Sequence, residues 1–293
     1  MLPQALRSEG RSALRRLPWH REGSAMTYAD WLLPFTDALE AAAEHARATF
    51  PAESCGFIIE NSYMPCANVA RPAEEHEDKP DCGCVLCSFE ISNDIWLPFE
   101  NKIQMVVHSH PNGPAYPSQA DMQGQEASGL PWAIIPLDDS RIGQPVIWGG
   151  DTPMAPVIGR VFTHGVHDCY SLIRDAFALG RDGMAAHGVE GWPYAPVELP
   201  IYPRNDEWWK GDDNFYEEKP AQLGFREVSR DDVRPGDVFL CSINSPRLNH
   251  GGMLVGNNLI LHHLPRRLSR REAAGIWAHS AEKWIRLEGA PLA

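Results

Sequence analysis

A segment rich in glycine and proline, GGDTPMAPVIG at residues 149–159, divides the chain into two halves with unlike patterns. Small residues and prolines interrupt regular structure, and periodic apolar segments resume beyond this segment. At 293 residues the chain is also long enough for two domains of ordinary size. We therefore expect two domains, over residues 26–152 and 153–293, with no internal repeat.

Composition and charge exclude several classes of protein. Hydrophobic residues make up 43% of the chain and charged residues 22%, which is typical of a globular protein. The net charge of −13 argues against a nucleic-acid partner, because phosphate binding needs an excess of Lys and Arg. No apolar run approaches the roughly 18 to 20 residues of a transmembrane helix, so no transmembrane segment is expected.

The first 25 residues carry five arginines and two glutamates and lack the long apolar core of a secretory signal peptide. Residues 1–25 predict either a basic, disordered arm or a start codon assigned too far upstream, since Met26 directly precedes the first convincing folded segment. Seven cysteines, an odd number, do not predict a disulfide scaffold. Synthesis in a reducing cytoplasm is the simplest interpretation.

The first half predicts a helix over residues 36–49 and several short strands. TDALEAAAEHARAT is rich in alanine, with Asp37 near its start and Arg47 near its end, as the helix dipole favours. Apolar runs predict strands within PAESCGFIIE, IQMVVHSH, LPWAIIPL and RIGQPVIWGG. Helices mixed with strands indicate an α+β or α/β fold class.

Two histidines one residue apart end the strand IQMVVHSH and predict a metal site. His108 and His110 share one face, because side chains alternate along a strand. A proline-containing loop and a helix start then return Asp121 toward the same point. Two imidazoles and one carboxylate leave a fourth position for water, as in a hydrolytic zinc site, and Glu53 is the candidate general base. The structural alternative is a capping box, since SQAD also fits Ser118 as a helix N-cap.

Taken together, PAESCG, HSHP, the proline-containing loop and PS followed by an aspartate resemble the JAMM metalloprotease family, also called MPN-plus. The resemblance implies a mixed β-sheet flanked by helices in the first domain. It implies that His108, His110 and Asp121 hold Zn²⁺. It further implies that Glu53 is the base and that Ser118 helps to stabilise the oxyanion.

A charged insertion at residues 71–90 interrupts the first domain and contains closely spaced cysteines. The candidate ligands of a second metal are Cys82, Cys84, Cys87 and, as the fourth, Cys66 or His76. A structural zinc ion and an iron–sulfur cluster both suit thiolate ligands, and the spacing does not decide between them. The alternative is a mobile loop whose thiols are free or pair only outside the cell.

The second half predicts a helix that begins at Cys169 and a group of strands after it. CYSLIRDAFALG carries apolar residues on one face and is expected to end at Gly180. A long irregular stretch rich in Trp and Pro follows, over about residues 187–216. DVFLCSI, HGGMLVG and LILHH then predict three strands separated by turns.

A thiol at a helix start and histidines on a hairpin predict a cysteine peptidase site. The helix dipole favours a thiolate at Cys169 and is expected to lower its pKa. His250 begins the first hairpin strand, and His262 and His263 end the second. A three-residue loop makes His262 the same-face neighbour of His250, whereas a two-residue turn places His263 opposite it. The alternative is a buried free cysteine with surface histidines.

HDCYSLIRDAF, RPGDVFL and NHGGMLVGNNLILHH together resemble the NlpC family of cell-wall cysteine peptidases. The resemblance implies a papain-like fold with Cys169 as nucleophile, His250 as base and His262 as the orienting third residue. The family's tyrosine, about twelve residues before the cysteine, is missing from PVIGRVFTHGVHD, so the Cys169 amide is the expected oxyanion donor.

A JAMM domain followed by an NlpC-like domain resembles a family of lambda-type tail assembly proteins of long-tailed bacteriophages. The resemblance implies a tail-tip hydrolase that cleaves a stem-peptide amide of peptidoglycan, between D-glutamate and diaminopimelate. It implies tail-tip and hub proteins as partners. It also implies a location in the host cytoplasm during assembly, then at the virion tail tip, reaching the host periplasm on infection. The alternative is a structural adaptor or plug whose peptidase sites are sequestered or inactive.

Overall fold

The computed structural model describes residues 27–77, 82–211 and 214–293. The predicted N-terminal arm, residues 1–25, lies outside the described residues. The chain forms two compact units that part between Pro153 and Met154. No helix within the described residues is long and apolar enough to cross a membrane.

The first unit mixes helices with one sheet. Its helices are α1 (Tyr28–Leu32), α2 (Thr36–Thr49), α3 (Asn93–Trp96) and α4 (Gln119–Ser128). Its strands are β1 (Cys55–Ile59), β2 (Ser62–Cys66), β3 (Ile103–Pro111), β4 (Trp132–Leu137) and β5 (Val146–Trp148). The predicted helix over residues 36–49 is confirmed at both ends.

The strands of the first unit form one mixed sheet in the order β2-β1-β3-β4-β5. β3 and β4 run parallel, and the other neighbouring pairs are antiparallel. α2 buries its alanine-rich face, Ala38, Ala42 and Ala46, in a core that includes Ile58 and Met105 of the sheet. Small side chains on the helix allow it to approach the strands closely, which anchors the sheet that carries the site.

β3 is the central strand and carries both predicted histidine ligands. His108 pairs with Cys55 on β1 and with Ile134 on β4, and the strand is almost entirely buried. α4 begins soon after β3, with Ser118 as its N-cap. The first turn of α4 therefore brings Asp121 back to the end of β3.

The second unit contains a larger sheet. Its helices are α5 (Cys169–Ala186), α6 (Phe215–Gln222) and α7 (Ala274–Ser280). Its strands are β6 (Phe225–Val228), β7 (Val238–Cys241), β8 (His250–Val255), β9 (Leu259–His262), β10 (Arg270–Ala273) and β11 (Lys283–Leu287). The strands are antiparallel and lie in the order β10-β9-β8-β7-β11-β6. The predicted fold class, two domains of mixed α and β content, is confirmed.

α5 packs against this sheet and is longer than predicted. Its predicted apolar face is buried together with Met253 of β8. The expected helix end at Gly180 is confirmed, because Gly180 has non-helical backbone angles; a second helical segment then continues from there to Ala186. Gly180 has a φ of 63°, and an added Cβ would lie 2.6 Å from Pro196. The glycine therefore ends the first helical segment and makes a break where another backbone segment approaches.

The hairpin of β8 and β9 adopts one of the two predicted registers. The loop contains three residues, Gly256–Asn258, and Gly252 pairs with His262. His262 is therefore the diagonal neighbour of His250 on the same face of the sheet. β10 extends the pairing, with Arg270 opposite His262.

Candidate active sites

Three polar side chains of the first unit converge on one point. His108 Nε2 and His110 Nε2 are 3.1 Å apart. Asp121 places Oδ1 3.3 Å from His108 Nε2 and Oδ2 3.4 Å from His110 Nε2. All three side chains are buried. The predicted ligands thus lie within the span of one metal ion.

The chemistry of these donors fits a catalytic zinc ion. His110 Nδ1 donates to the Pro114 carbonyl oxygen at 2.8 Å, which leaves its Nε2 facing the cluster. Two imidazole nitrogens that face each other at such a distance need a proton or a cation between them. Two imidazoles and a carboxylate, with one position left open, form the ligand set of hydrolytic zinc enzymes.

Asp121 belongs to the cluster and to a capping box at once. The amide and the hydroxyl of Ser118 both donate to Asp121 Oδ2 at 2.7 Å, and the Asp121 amide donates to Ser118 Oγ at 3.1 Å. Burial alone would raise the pKa of Asp121, but His108 and His110 hold it well below its ordinary value. The structural and the metal interpretations of SQAD are therefore compatible. The hydroxyl of Ser118 donates to Asp121, so in this conformation its proton is not available to an oxyanion.

Glu53 lies just before β1, beside the cluster. The Ser54 amide donates to Ser109 Oγ at 2.8 Å, and the Ser109 amide donates to the Ser54 carbonyl at 3.0 Å. These two bonds tie the segment of Glu53 to the part of β3 that lies between the histidines. Burial raises the pKa of Glu53 to about 8, with His110 opposing the rise and Asp121 adding to it. Such a carboxyl group exchanges protons near neutral pH, as a general base must.

The cysteine-containing insertion gathers a second set of candidate ligands. His76 Nδ1 lies 3.3 Å from Cys84 Sγ and 3.5 Å from Cys82 Sγ. Cys84 Sγ lies 3.7 Å from Cys87 Sγ. A hydrogen bond from the Glu77 amide, outweighing burial, lowers the pKa of the Cys82 thiol to about 6. One histidine and three cysteines therefore form a compact donor set.

Of the two candidates for the fourth ligand of this set, the structure brings His76 and not Cys66. Cys66 ends β2 and pairs with Cys55 on β1. Burial raises the pKa of the Cys66 thiol to about 11. The inclusion of Cys66 in the predicted ligand set is therefore corrected, because strand pairing holds this thiol within the β1–β2 hairpin.

In the second unit, Cys169 is the first residue of α5. Asp168 caps the helix, because its Oδ1 accepts from the Ser171 amide at 2.9 Å. Its Oδ2 accepts from the Gly165 amide at 2.8 Å and forms a buried ion pair with Arg204. These contacts fix the helical turn that presents the thiol.

The Cys169 thiol is less acidic than expected from its place at a helix start. Burial and the adjacent Asp168 carboxylate raise its pKa above the ordinary value. The opposing effects of Tyr216, Arg204 and the Gly251 amide are smaller. The predicted lowering of this pKa is therefore wrong, and the thiol needs a base to become a nucleophile.

A chain of three side chains crosses neighbouring strands β8, β9 and β10. His250 Nε2 lies 3.2 Å from His262 Nδ1, and His262 Nε2 lies 3.3 Å from Glu272 Oε2. Since a carboxylate only accepts, His262 donates from Nε2 and accepts at Nδ1 from His250. His250 Nδ1 is then the nitrogen that can take up a proton. Burial, with smaller effects of His262 and His263, lowers the pKa of His250 to about 3, so this imidazole is a neutral base.

The thiol lies near the start of β8, the strand that begins with His250. The amide of Gly251, the following residue, acts directly on the Cys169 sulfur. Among the described residues, no direct hydrogen bond joins Cys169 to His250. Catalytic hydrogen bonds often tighten only when substrate binds, so this geometry is compatible with the predicted pair. His263 packs edge-on against Phe162 at 5.1 Å between ring centroids and does not belong to the hydrogen-bonded series of His250, His262 and Glu272.

Two site residues were missed by the sequence interpretation. Tyr216 on α6 places its hydroxyl 3.2 Å from Cys169 Sγ. Burial keeps the pKa of Tyr216 well above its ordinary value, so the hydroxyl retains its proton. Glu272 stands two positions after Arg270, the partner of His262, and so shares the face of His262. Only the register of β10 could have identified this glutamate.

Comparisons with known proteins agree with both resemblances. Residues 35–143 match the family described as prokaryotic homologs of the JAB domain, and residues 143–282 match the NlpC/P60 family. Over 202 residues the chain is 33% identical to tail tip assembly protein K of Escherichia phage lambda, covering 65% of this chain and 90% of that protein. Over 259 residues it is 30% identical to tail tip assembly protein K of Escherichia phage N15, covering 85% of this chain and 93% of that protein.

Proposed function

Because the chain belongs to the family of tail tip assembly proteins K, we propose that it is a bacteriophage tail-tip protein with two peptidase sites. Its second domain hydrolyses peptidoglycan stem peptides at the amide between D-glutamate and diaminopimelate. Its first domain is a zinc-dependent peptidase. The observation that carries the proposal is the hydrogen-bonded series from His250 through His262 to Glu272, which supplies a neutral base on the residue before Gly251, whose amide acts on the Cys169 sulfur.

In the second domain, the reaction is acyl transfer to sulfur. His250 Nδ1 takes the proton of the Cys169 thiol as the sulfur attacks the carbonyl carbon of the scissile amide. Glu272, acting through His262, stabilises the positive charge that forms on His250. His250 then gives the proton to the leaving amine, and the same nitrogen deprotonates the water that releases the acyl group from the sulfur.

Tyr216 takes the place of the upstream tyrosine that this chain lacks. Its hydroxyl lies 3.2 Å from the sulfur and keeps its proton, so it can donate to the thiolate and to the oxyanion that forms beside it. The Cys169 amide is the second donor. The two donors come from α6 and from the start of α5, which together frame the reacting carbonyl.

In the first domain, His108, His110 and Asp121 would hold Zn²⁺. When bound, a zinc ion lowers the pKa of a coordinated water and supplies a nucleophile near neutral pH. Glu53 accepts the proton that the nucleophile loses and passes it to the leaving amine. Ser118 positions Asp121, and its hydroxyl can help to stabilise an oxyanion only after it turns away from that carboxylate. Tail proteins met during assembly are the candidate substrates.

The proposal places the protein in the host cytoplasm during assembly and at the virion tail tip afterwards, where it reaches the host periplasm on infection. Its partners are tail-tip and hub proteins and the stem peptides of peptidoglycan. The net charge of −13 supports the exclusion of nucleic acid.

Hydrolysis of diaminopimelate-type peptidoglycan by the purified full chain tests the function of the second domain. We expect soluble fragments whose masses identify the cleaved amide, and their loss in Cys169→Ala. The Asp121→Asn variant, changed in the other domain, is the control and should retain this activity. Undiminished release by Cys169→Ala would exclude the thiol mechanism. No release by the unaltered protein would favour the structural adaptor or plug.

A further inference from the structure

We propose that His76, Cys82, Cys84 and Cys87 bind one structural zinc ion, and that the zinc-bound segment forms a wall of the first candidate active site that holds Glu53 in place. We call the described residues of the insertion, 71–77 and 82–90, the cysteine knuckle. The metal site itself does not depend on the proposed peptidase activity. Only the consequence for Glu53 rests on the proposed role of that residue as a base.

The distances between the donor atoms fit one tetrahedral ion. Ideal zinc–sulfur and zinc–nitrogen bonds separate two sulfurs by about 3.8 Å, and a sulfur from a nitrogen by about 3.6 Å. The sulfurs of Cys84 and Cys87 are 3.7 Å apart, and His76 Nδ1 lies 3.3 Å and 3.5 Å from the sulfurs of Cys84 and Cys82. An iron–sulfur cluster separates ligand atoms on different irons farther than a single ion does, whereas all four donor atoms here lie within 4.8 Å of one another. The geometry therefore selects the single ion.

The surroundings of the donors favour thiolates. The Glu77 amide donates to Cys82 Sγ at 3.2 Å, and Arg71 Nη2 approaches the same sulfur at 4.0 Å. Hydrogen-bond donors and a cation stabilise a negative sulfur, which is the form that binds zinc. One imidazole and three thiolates complete a closed, four-ligand set of the kind that structural zinc sites use.

The cysteine knuckle has little else to hold it together. Among its described residues, only the side chains of Cys82 and Cys84 are buried. A charged segment of this length without an apolar core of its own needs a cross-link to adopt one conformation. The two buried side chains are ligands in the proposed set, so a metal ion supplies that cross-link.

The cysteine knuckle contacts the backbone of the proposed base directly. The Glu53 amide donates to the Val85 carbonyl at 2.7 Å, and the Val85 amide donates to the Arg71 carbonyl at 2.9 Å. Asn68 Nδ2 donates to the carbonyls of both Glu53 and Ser88 at 3.0 Å. Val85 lies between two of the proposed ligands in the chain, so fixing those ligands fixes the acceptor of the Glu53 amide.

The cysteine knuckle also reaches a proposed ligand of the first site. The ring of Phe89 stacks on the imidazole of His108, with 4.6 Å between centroids and 27° between planes. Phe89 follows Cys87 by two residues. One end of the knuckle therefore contacts a metal-binding imidazole, while its middle holds the backbone of the base. We infer that the metal-bound segment positions two parts of the first site.

Metal content of the anaerobically purified full chain tests the ion. We expect two zinc ions per chain in the unaltered protein, and one in both Cys84→Ser and His76→Ala. Cys66→Ser is the matched control, a cysteine of the same domain outside the donor set, and should keep both ions. Equal zinc in Cys84→Ser and Cys66→Ser would overturn the site, as would iron and visible colour in the unaltered protein.

Cobalt replacement separates this ion from the one proposed for the first site. The full-length Asp121→Asn variant, loaded with Co²⁺ alone, should show sulfur-to-cobalt charge-transfer absorption in the near ultraviolet. Adding Cys84→Ser should remove that absorption, because the first site has no sulfur ligand. Absorption that survives the second substitution would exclude the proposed ligands. Loss of peptidase activity plays no part in this readout, so failure of the proposed function would leave it unchanged.

Amide hydrogen exchange tests whether the cysteine knuckle holds the backbone of Glu53 in place. In Cys84→Ser, exchange at the amides of Glu53 and Val85 should accelerate by at least about tenfold, since both donors lose a fixed acceptor. Cys66→Ser should show unchanged exchange at these positions, and the amides of α2 should stay protected in both variants, which verifies folding. Loss of the zinc ion from Cys84→Ser without faster exchange at Glu53 would show that the knuckle binds metal but does not brace the base.

Discussion

The two candidate active sites contain the same residue types, two histidines and one carboxylic acid, in opposite arrangements. In the first domain, His108, His110 and Asp121 all point their donor atoms at one place. In the second domain, His250, His262 and Glu272 stand in line, each bonded to the next. Among the described residues, the first set meets the geometric requirement for one shared ion and the second does not. Residue types alone thus do not distinguish a metal centre from a proton relay.

Sheet geometry explains the difference. His108 and His110 stand two positions apart on one strand, so their side chains are parallel neighbours that can meet at a third group. His250, His262 and Glu272 come from three adjacent strands, so each is bonded to a side chain on the strand beside it. Donor atoms that converge leave lone pairs that a cation satisfies. In the linear arrangement, the carboxylate instead stabilises, through the middle imidazole, the positive charge that forms on the base.

Removing the base of the linear set should have the largest effect. We expect His250→Ala to reduce peptidoglycan hydrolysis by about 10⁴-fold or more, because the Cys169 thiol, whose pKa is raised, then lacks the imidazole proposed to accept its proton. Fragment release measured with and without a strong chelator checks this. The unaltered protein should be insensitive to the chelator. Hydrolysis that survives in His250→Ala but stops on chelation would place a metal mechanism in the second domain and break the comparison.

Removing the carboxylate of the convergent set should abolish tight metal binding. We expect Asp121→Asn to weaken zinc affinity at the first site by more than about 100-fold, measured by competition with a chromophoric chelator. Asp30→Asn is the matched control, since Asp30 forms the same kind of capping box with Thr27 at the start of α1. Equal affinity in the two variants would mean that Asp121 serves the helix cap alone.

The first site could be predicted from sequence because its parts are local. A strand, a loop and one helical turn connect His108 to Asp121, and alternation and capping rules apply over such short distances. The choice between His76 and Cys66 could not be made in this way. It depends on the pairing of β2 with β1, which holds Cys66 away from the other cysteines.

The second site was predicted only in part because its members are distant in sequence. Cys169 and the histidine hairpin carry local signals, and the two possible hairpin registers were both foreseen. Tyr216 and Glu272 carry none, since their roles depend on where α6 and β10 pack. The raised pKa of Cys169 was also unpredictable, because it results from burial that only the folded chain creates.

Replacing Tyr216 tests whether the second site stabilises its oxyanion with a neutral hydrogen-bond donor, where the first site is proposed to use a cation. We expect Tyr216→Phe to lower kcat by about 100-fold, the effect of losing one oxyanion donor. It should also raise the pKa of Cys169, measured from the pH dependence of alkylation, because a bond to the thiolate is lost. Tyr194→Phe is the control, a buried tyrosine whose hydroxyl has no hydrogen-bond partner among the described residues. Equal activity in the two variants would remove Tyr216 from the site.

Glu272 provides the finest test of the linear arrangement. Its negative charge raises the pKa of His262 against the lowering effect of burial. We expect Glu272→Gln to reduce kcat/KM by about tenfold, which corresponds to about 1.4 kcal/mol of lost stabilisation of the imidazolium. The acid limb of the pH profile should move to lower pH, since the imidazoles become harder to protonate. Glu282→Gln, an exposed glutamate bonded to the Ser242 amide, is the control and should change neither quantity. A lower rate with an unmoved acid limb would mean that Glu272 only supports packing around Trp277, to whose indole it is bonded at 2.8 Å.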